Sequence, residues 1–190
     1  MPGGSKKGFP YEREIARKLS LWLTDSVRDD VLWRTEGSGG RATNRMKSGK
    51  RLPFSYGDLT VKDPTNQRAI DFISNVLIEI KRGYSKAGKN DVLDLIDKKK
   101  GTPLLIQWWA KASEEASQAG RKYVWILFKR DRKENCILID ATDEHWINGD
   151  AIFIRAGFRY SAAPRTFGVL RLDDFLDQAL PLWFCSKEGE

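Results

Sequence analysis

The stretch VLIEIK, residues 76–81, is an apolar run of strand length that contains two charged residues. Side chains alternate between the two faces of a strand, so Glu79 and Lys81 must share one face with Leu77, while the three β-branched residues share the other. Charged groups are costly to bury unless they are paired or bound to a metal. The stretch therefore predicts an inner strand whose acid and base form either a structural ion pair or part of a functional site.

The composition of the chain indicates one globular domain with a basic surface. Its 190 residues are 41% hydrophobic and 31% charged, which is ordinary for a soluble protein, and we expect a single domain over residues 1–190. The net charge of +7 and the isoelectric point of about 9.4 favour an anionic partner, although a merely basic protein would show the same values.

The sequence lacks the usual signals for secretion, membrane insertion and zinc binding. No apolar run reaches membrane-spanning length, and the first residues do not form a secretory signal. The two cysteines, Cys136 and Cys185, lack the spacing of metal ligands, and His145 is the only histidine that could join them. Together these features favour a cytoplasmic protein without a membrane segment.

The N-terminal region predicts a helix with one acid on each side. Residues 1–10 look flexible, and a helix is predicted over residues 11–23. At about 100° per residue, Glu12 falls within the apolar stripe, whereas Glu14 falls on the opposite face, where Arg17 and Lys18 can screen its charge. Glu12 is therefore aimed at the core side of the helix, unless it serves only as a favourable charge in the first turn.

A basic, glycine-rich segment follows the short strand predicted at 31–34. Residues 37–52 contain five basic residues and no acid. Such a segment is either a solvated loop or a flexible arm that becomes ordered on a phosphate backbone, and the net charge of the chain favours the arm. A second basic connection, residues 82–90, follows the strand at 76–81.

The remaining patterns predict an α/β fold. Further elements are predicted as a strand at 57–61, a helix at 103–119, a hairpin of strands at 122–128 and 136–139, edge strands at 151–155 and 166–172, and a closing helix at 173–180. This order predicts a mixed central β-sheet flanked by helices, with residues 140–190 as a C-terminal extension of the core.

Four residues resemble the active-site set of the PD-(D/E)xK nuclease superfamily: Glu12, Asp58, Glu79 and Lys81. Each occupies the kind of element that the superfamily uses, namely a helix, the start of a strand, and a neighbouring strand. The resemblance implies a restriction-endonuclease-like core, and it spans roughly residues 7–130. The interval between Asp58 and Glu79 is long for a compact nuclease, and a loop at 63–75 is expected to absorb it.

Two segments resemble archaeal Holliday junction resolvases more closely. KGFPYEREI, residues 7–15, is similar to the opening Gly-x-x-x-Glu-Arg-Glu-aliphatic of that family, which matches Glu12 to the active-site glutamate. RTEGS, residues 34–38, is similar to the family's Arg-x-x-Gly-Ser segment, whose hydroxyl residue lies near the scissile phosphate. Asp58 then stands where the metal-binding aspartate is expected.

The resemblance implies hydrolysis of phosphodiester bonds with a divalent metal. Asp58 and Glu79 would hold Mg²⁺, for which Mn²⁺ substitutes, because hard oxygen ligands select these ions. Lys81 would orient the attacking water or stabilise the transition state. Glu12 would complete the outer shell or a second metal position. All four are candidate catalytic residues, and the three acids are the candidate metal ligands.

The candidate DNA contacts are residues close to the motif in sequence: Arg34, Ser38, Arg41, Arg45, Lys47, Lys50, Arg51, Lys86 and Lys89. Each of the basic residues is also compatible with a solvated surface. Trp108 and Trp109 are candidates for base stacking, against the alternative that they pack in the core or in a dimer interface.

These features predict a metal-dependent DNA endonuclease, specifically a Holliday junction resolvase acting in recombination or repair. A four-way junction is two-fold symmetric, so we expect a homodimer whose apolar interface comes from Trp108 and Trp109 or from residues 180–184. The alternatives are a restriction- or repair-type nuclease of the same superfamily and a non-catalytic nucleic-acid-binding module. The last is disfavoured because a pure binder gains nothing from three acids facing a polyanion.

Overall fold

The computed structural model describes residues 5–35, 56–83, 92–141, 152–156 and 165–185. Its elements are α1 (Ser5–Leu23), β1 (Leu32–Arg34), β2 (Leu59–Val61), α2 (Gln67–Asn75), β3 (Val76–Arg82), α3 (Asp94–Asp97), α4 (Leu104–Ala119), β4 (Tyr123–Lys129), β5 (Asn135–Asp140), β6 (Ile152–Ala156), β7 (Arg165–Arg171), α5 (Leu172–Gln178) and α6 (Leu182–Cys185).

The described strands form two sheets that meet at β3. The larger sheet has the order β3-β4-β5-β7-β6, in which β3 and β4 are parallel and all other neighbours are antiparallel. β1 and β2 form a separate antiparallel pair. Just before β2, the Asp58 N–H donates to the Ile78 carbonyl over 2.8 Å, so the small sheet sits against the outer edge of β3. The predicted mixed central sheet flanked by helices is confirmed.

Apolar residues on the two faces of the large sheet belong to two separate cores. Val76, Ile78 and Ile80 are buried with residues of α1, α2, α5 and α6, whereas Leu77 is buried with residues of α4. The first core contains Trp125, whose ring lies 4.9–6.0 Å from four other aromatic rings. The alternation predicted for residues 76–81 is therefore confirmed, and Glu79 and Lys81 lie on the α4 side with Leu77.

Two predicted boundaries near the N-terminal half were wrong. α1 begins at Ser5, so residues 5–10, which were expected to be flexible, are helical, and Pro10 lies inside the helix. The expected loop at 63–75 contains α2, because the Asn66 side chain accepts the Ala69 N–H over 2.9 Å and caps a helix that buries Ala69, Phe72 and Ile73. The long interval between Asp58 and Glu79 is thus a packed helix.

The C-terminal part also differs from the prediction in one strand. β7 is an inner strand between β5 and β6, whereas residues 166–172 were predicted at an edge. Trp109 is only 6% exposed and its ring packs edge-on against Phe167 at 5.1 Å, so it belongs to the core. Within the described ranges, no helix combines the length and apolarity needed to cross a bilayer.

Candidate active site

Asp58 is fastened to β3 by both its backbone and its side chain. The Ile80 N–H donates to Asp58 Oδ2 over 2.7 Å, in addition to the bond from the Asp58 N–H to the Ile78 carbonyl. These two bonds flank Glu79, so a residue 21 positions earlier in the sequence is brought beside it. The Thr35 N–H donates to the Asp58 carbonyl over 2.9 Å and ties the same segment to the end of β1.

Glu79 and Lys81 are in direct contact on the α4 face of β3. The Lys81 ammonium group donates to Glu79 Oε1, and both side chains are about one-fifth exposed (20% and 18%). The face carries an apolar residue at Leu77 and turns polar towards the C-terminal end of the strand. The ion pair therefore lies where β3 leaves the core, next to Asp58.

The electrostatics of Asp58 are dominated by burial and by its acidic neighbour. Burial raises the pKa of Asp58, and the negative charge of Glu79 raises it further, to about 7. The Lys81 charge and the Ile80 N–H lower the pKa, and Glu12 adds a smaller upward effect. Two carboxylates that repel each other in a partly buried site are an arrangement that a cation would stabilise.

Glu12 is largely buried on α1, whereas the Glu14 side chain is 42% exposed. Glu12 Oε2 accepts from Arg34 Nε over 2.9 Å, and the two side chains are only 12% and 20% exposed. The Arg34 guanidinium group stacks on the Phe9 ring at 4.0 Å. Arg34, a candidate DNA contact, thus joins Glu12 at the flank of the Asp58 and Glu79 site.

The partners expected for Glu14 were wrong. Glu14 Oε1 accepts from Asn135 Nδ2 over 3.2 Å and lies 3.4 Å from Lys129 Nζ. Arg17 pairs instead with Asp29, and Lys18 with Asp173. The helix turns its basic residues towards acids on other elements, which helical spacing does not reveal.

The donor set at the site suits a hard divalent cation. Asp58 and Glu79 supply carboxylate oxygens, which Mg²⁺ and Mn²⁺ prefer. Within the residues that the structure describes, no three His, Cys, Asp or Glu side chains stand close enough together to form a metal-binding group. Glu12, the third predicted metal ligand, does not form such a group with Asp58 and Glu79. The fit is to these two carboxylates with water or substrate oxygens completing the shell, a common arrangement for Mg²⁺.

The other candidate DNA contacts lie outside the described residues. This applies to Ser38, Arg41, Arg45, Lys47, Lys50, Arg51, Lys86 and Lys89. The basic segment 37–52 and most of the connection 82–90 fall in the same undescribed ranges, so these predictions stay predictions.

Sequence reasoning missed four residues that hold Asp58 in place. Gly57 has φ +72° and lies so close to β3 that a Cβ atom there would meet the Ile78 carbonyl oxygen at 2.7 Å. Thr35 binds the Asp58 carbonyl, and Glu115 and Arg121 bind the segment from the α4 side. Thr35 and Gly57 lay in segments with a recognised motif, whereas Glu115 and Arg121 carried no local signal.

Two carboxylates and a lysine that meet beside the edge strand of a mixed sheet define the PD-(D/E)xK class of nucleases. The profile of one family, described as "Phage putative PDDEXK endonuclease", matches residues 3–175, and the chain belongs to this family. No curated protein and no solved structure matches the chain. The family match identifies the chain as a nuclease with a restriction-endonuclease-like fold, and it extends well beyond the resolvase resemblance.

The fit of Gly57 against β3 makes a stability prediction. Gly57→Ala and Gly120→Ala both place a Cβ at a left-handed φ, which costs about 1–2 kcal/mol in unfolding free energy. Gly120 has φ +68° and open space around it, so only Gly57→Ala adds a collision with the Ile78 carbonyl, for a further ~1–3 kcal/mol.

Urea denaturation of the two variants beside the wild type measures the difference. Equal losses of stability would contradict the close approach of Gly57 to β3.

Proposed function

We propose that the protein is a divalent-metal-dependent endodeoxyribonuclease. The observation that supports this most directly is the meeting of Asp58, Glu79 and Lys81 at β3, although the first two are 21 positions apart in the sequence. The family match supports the nuclease class, and the net charge of +7 suits a polyanionic substrate. We also propose that residues 1–190 form one nuclease domain.

Each residue at the site has a role in phosphodiester hydrolysis, in which water attacks phosphorus and the bond to one ester oxygen breaks. Asp58 and Glu79 would hold Mg²⁺, with Mn²⁺ able to substitute. When bound, the ion acidifies water and polarises the phosphoryl oxygen. Lys81 places a positive charge where negative charge develops on the phosphate or the leaving oxygen. Glu12 orients Arg34 towards the phosphate backbone and completes the acidic surroundings.

A strip of aromatic and basic side chains leads away from the site along α1 and β1. Arg34 stacks on Phe9, which is 42% exposed. Trp33, the preceding residue of β1, points to the other face of that strand and is 37% exposed, with Arg13 5.6 Å and Lys62 5.4 Å from its ring. Cations and exposed rings together suit a nucleic-acid strand, through phosphate contacts and stacking. We propose this strip as a DNA-contact surface in place of Trp108 and Trp109.

Four-way junction DNA is the proposed substrate structure, and its support is the resemblance of residues 7–15 and 34–38 to junction resolvases. Paired cuts on a two-fold symmetric junction call for two active sites, hence a homodimer. Leu180, Leu182 and Trp183 are exposed near α6 and supply apolar surface for such an interface.

Sedimentation velocity at micromolar concentration should show a dimer, alone or on junction DNA. A chain that stays monomeric on the junction would rule out resolvase activity and leave the nuclease proposal standing.

Removing either metal-binding carboxylate should abolish cleavage without weakening DNA binding. Asp58→Asn and Glu79→Gln should each reduce the rate at least about a hundredfold, a typical loss for one transition-state or metal-site group. DNA binding in EDTA should stay the same or become tighter, because a negative charge facing the phosphate is lost. The measurements are Mg²⁺-dependent cleavage of labelled duplex, single-stranded and four-way-junction DNA, and fluorescence anisotropy.

The helix offers a matched control for this experiment. Glu12→Gln should impair cleavage, whereas Glu14→Gln, on the opposite side of α1, should be nearly silent. Full activity in Asp58→Asn or Glu79→Gln would show that the site lies elsewhere.

The DNA-contact strip makes a separate prediction about binding. Arg13 and Arg17 lie one turn apart on α1, but Arg17 is paired with Asp29, whereas Arg13 has no carboxylate partner within the described ranges. Arg13→Gln should weaken DNA binding in EDTA several-fold and reduce the slope of log Kd against log salt by about 1. Arg17→Gln makes the same charge change and should have little effect.

Anisotropy titrations at several salt concentrations measure both variants. Equal effects of the two substitutions would show that DNA senses only the overall charge of the chain and would contradict the strip.

A further inference from the structure

We infer that Glu115, in the last turns of α4, and Arg121, just after this helix, are positioning residues that hold Asp58 in metal-binding geometry. This inference rests on the proposed function, because it gives these residues a role through Asp58. Neither residue belongs to the PD-(D/E)xK motif, and neither is placed in contact with substrate. Their role would be to fix the backbone of the segment 56–58 against β3.

Glu115 binds the backbone directly before Asp58. Its Oε1 atom accepts the Gly57 N–H over 3.0 Å, across 58 residues of sequence. A hydrogen bond from a backbone N–H to an ionised carboxylate is stronger than one between neutral groups. The carboxylate is part-buried and points at a backbone amide, whereas its neighbour Glu114 is exposed to solvent. The interaction is therefore specific to one of two adjacent glutamates.

Arg121 joins the same segment to the beginning of β3. Its Nη1 atom donates to the Tyr56 carbonyl over 3.0 Å and to the Val76 carbonyl over 3.3 Å. The residue is only 8% exposed. A buried guanidinium group is costly unless its donors are satisfied, and here they bridge the two chain segments that must stay in register.

Four backbone polar groups between the Tyr56 carbonyl and the Asp58 carbonyl are held by hydrogen bonds to other parts of the chain. Arg121 holds the carbonyl of Tyr56, Glu115 holds the N–H of Gly57, and β3 and Thr35 hold Asp58. Because Gly57 has no Cβ, the segment can approach β3 closely. A glycine also gives the backbone more conformational freedom, which would allow the segment to move away from β3. Glu115 removes that freedom at the residue next to the metal ligand.

The same contacts could serve stability alone, so the test must separate position from stability. Glu115→Ala removes the acceptor, and Glu115→Gln keeps a neutral acceptor of the same length. Glu115→Asp keeps the charge but shortens the side chain by one methylene. Glu114→Ala is the matched control, since it makes the same change at an exposed position on the same helix.

Mn²⁺ binding to the full chain without DNA is the main readout, measured from the free-ion EPR signal. Glu115→Ala and Glu115→Asp should bind Mn²⁺ about tenfold more weakly, as expected for the loss of one charge-assisted hydrogen bond, and Glu115→Gln should recover most of the affinity. Glu114→Ala should bind as the wild type does. The amide hydrogen of Gly57 should exchange faster in the Ala and Asp variants, measured by NMR, while exchange in the β4 core stays unchanged.

Several outcomes would overturn the inference. If Asp58→Asn loses Mn²⁺ binding while the Ala and Asp variants at position 115 bind like Glu114→Ala, Glu115 has no positioning role and the proposed function survives. If Glu115→Ala does not fold, the Mn²⁺ affinity of Glu115→Asp is compared with that of Glu114→Ala instead. If Asp58→Asn binds Mn²⁺ as the wild type does, the proposed metal site itself is wrong, and the inference falls with it.

Discussion

The structure depends on the pair of hydrogen bonds that join Asp58 to the edge of β3. The Asp58 N–H donates to the Ile78 carbonyl and the Asp58 carboxylate accepts the Ile80 N–H, over 2.8 and 2.7 Å. A sheet edge leaves backbone groups that need partners, and Asp58 supplies them at both sides of Glu79. The same contact that joins the two sheets therefore assembles the acidic site, so the site cannot form without this part of the fold.

The cost of this arrangement is electrostatic. The charge of Glu79 and the burial of the site raise the pKa of Asp58, while Lys81 opposes both effects from the same face of β3. A chain selected for stability alone would not place these groups together at the end of an apolar strand. The proposed cation and phosphate would account for their juxtaposition, since the cation would use the negative groups and the phosphate the positive one.

Local periodicity was enough to predict which of these side chains share a face of their element. The alternation of residues 76–81 put Glu79 and Lys81 together, and the helical period separated Glu12 from Glu14. The helix α2 was missed because the interval before β3 was interpreted as an inserted loop, although Asn66 gave a capping signal. Trp109 shows a similar limit, since adjacent aromatic residues on a helix do not reveal which one enters the core.

Contacts between distant segments were beyond the reach of the sequence. Glu115 binds Gly57 across 58 residues, and its neighbour Glu114 has the same side chain and nearly the same local sequence. Only the packing of α4 against β3 distinguishes the two. The contacts of Arg121 could not be predicted from the sequence either, because they join distant segments. The strip around Trp33 has the same origin, since its members come from α1, β1 and the residue after β2.

Anomalous X-ray scattering from crystals of the full chain grown with Mn²⁺ would locate the bound ion. One ion should be bound to an oxygen of Asp58 and an oxygen of Glu79, each about 2.1–2.2 Å away. An ion held by other residues, or one that contacts only one of the two carboxylates, would contradict the claim that β3 and the segment before β2 build a shared metal site.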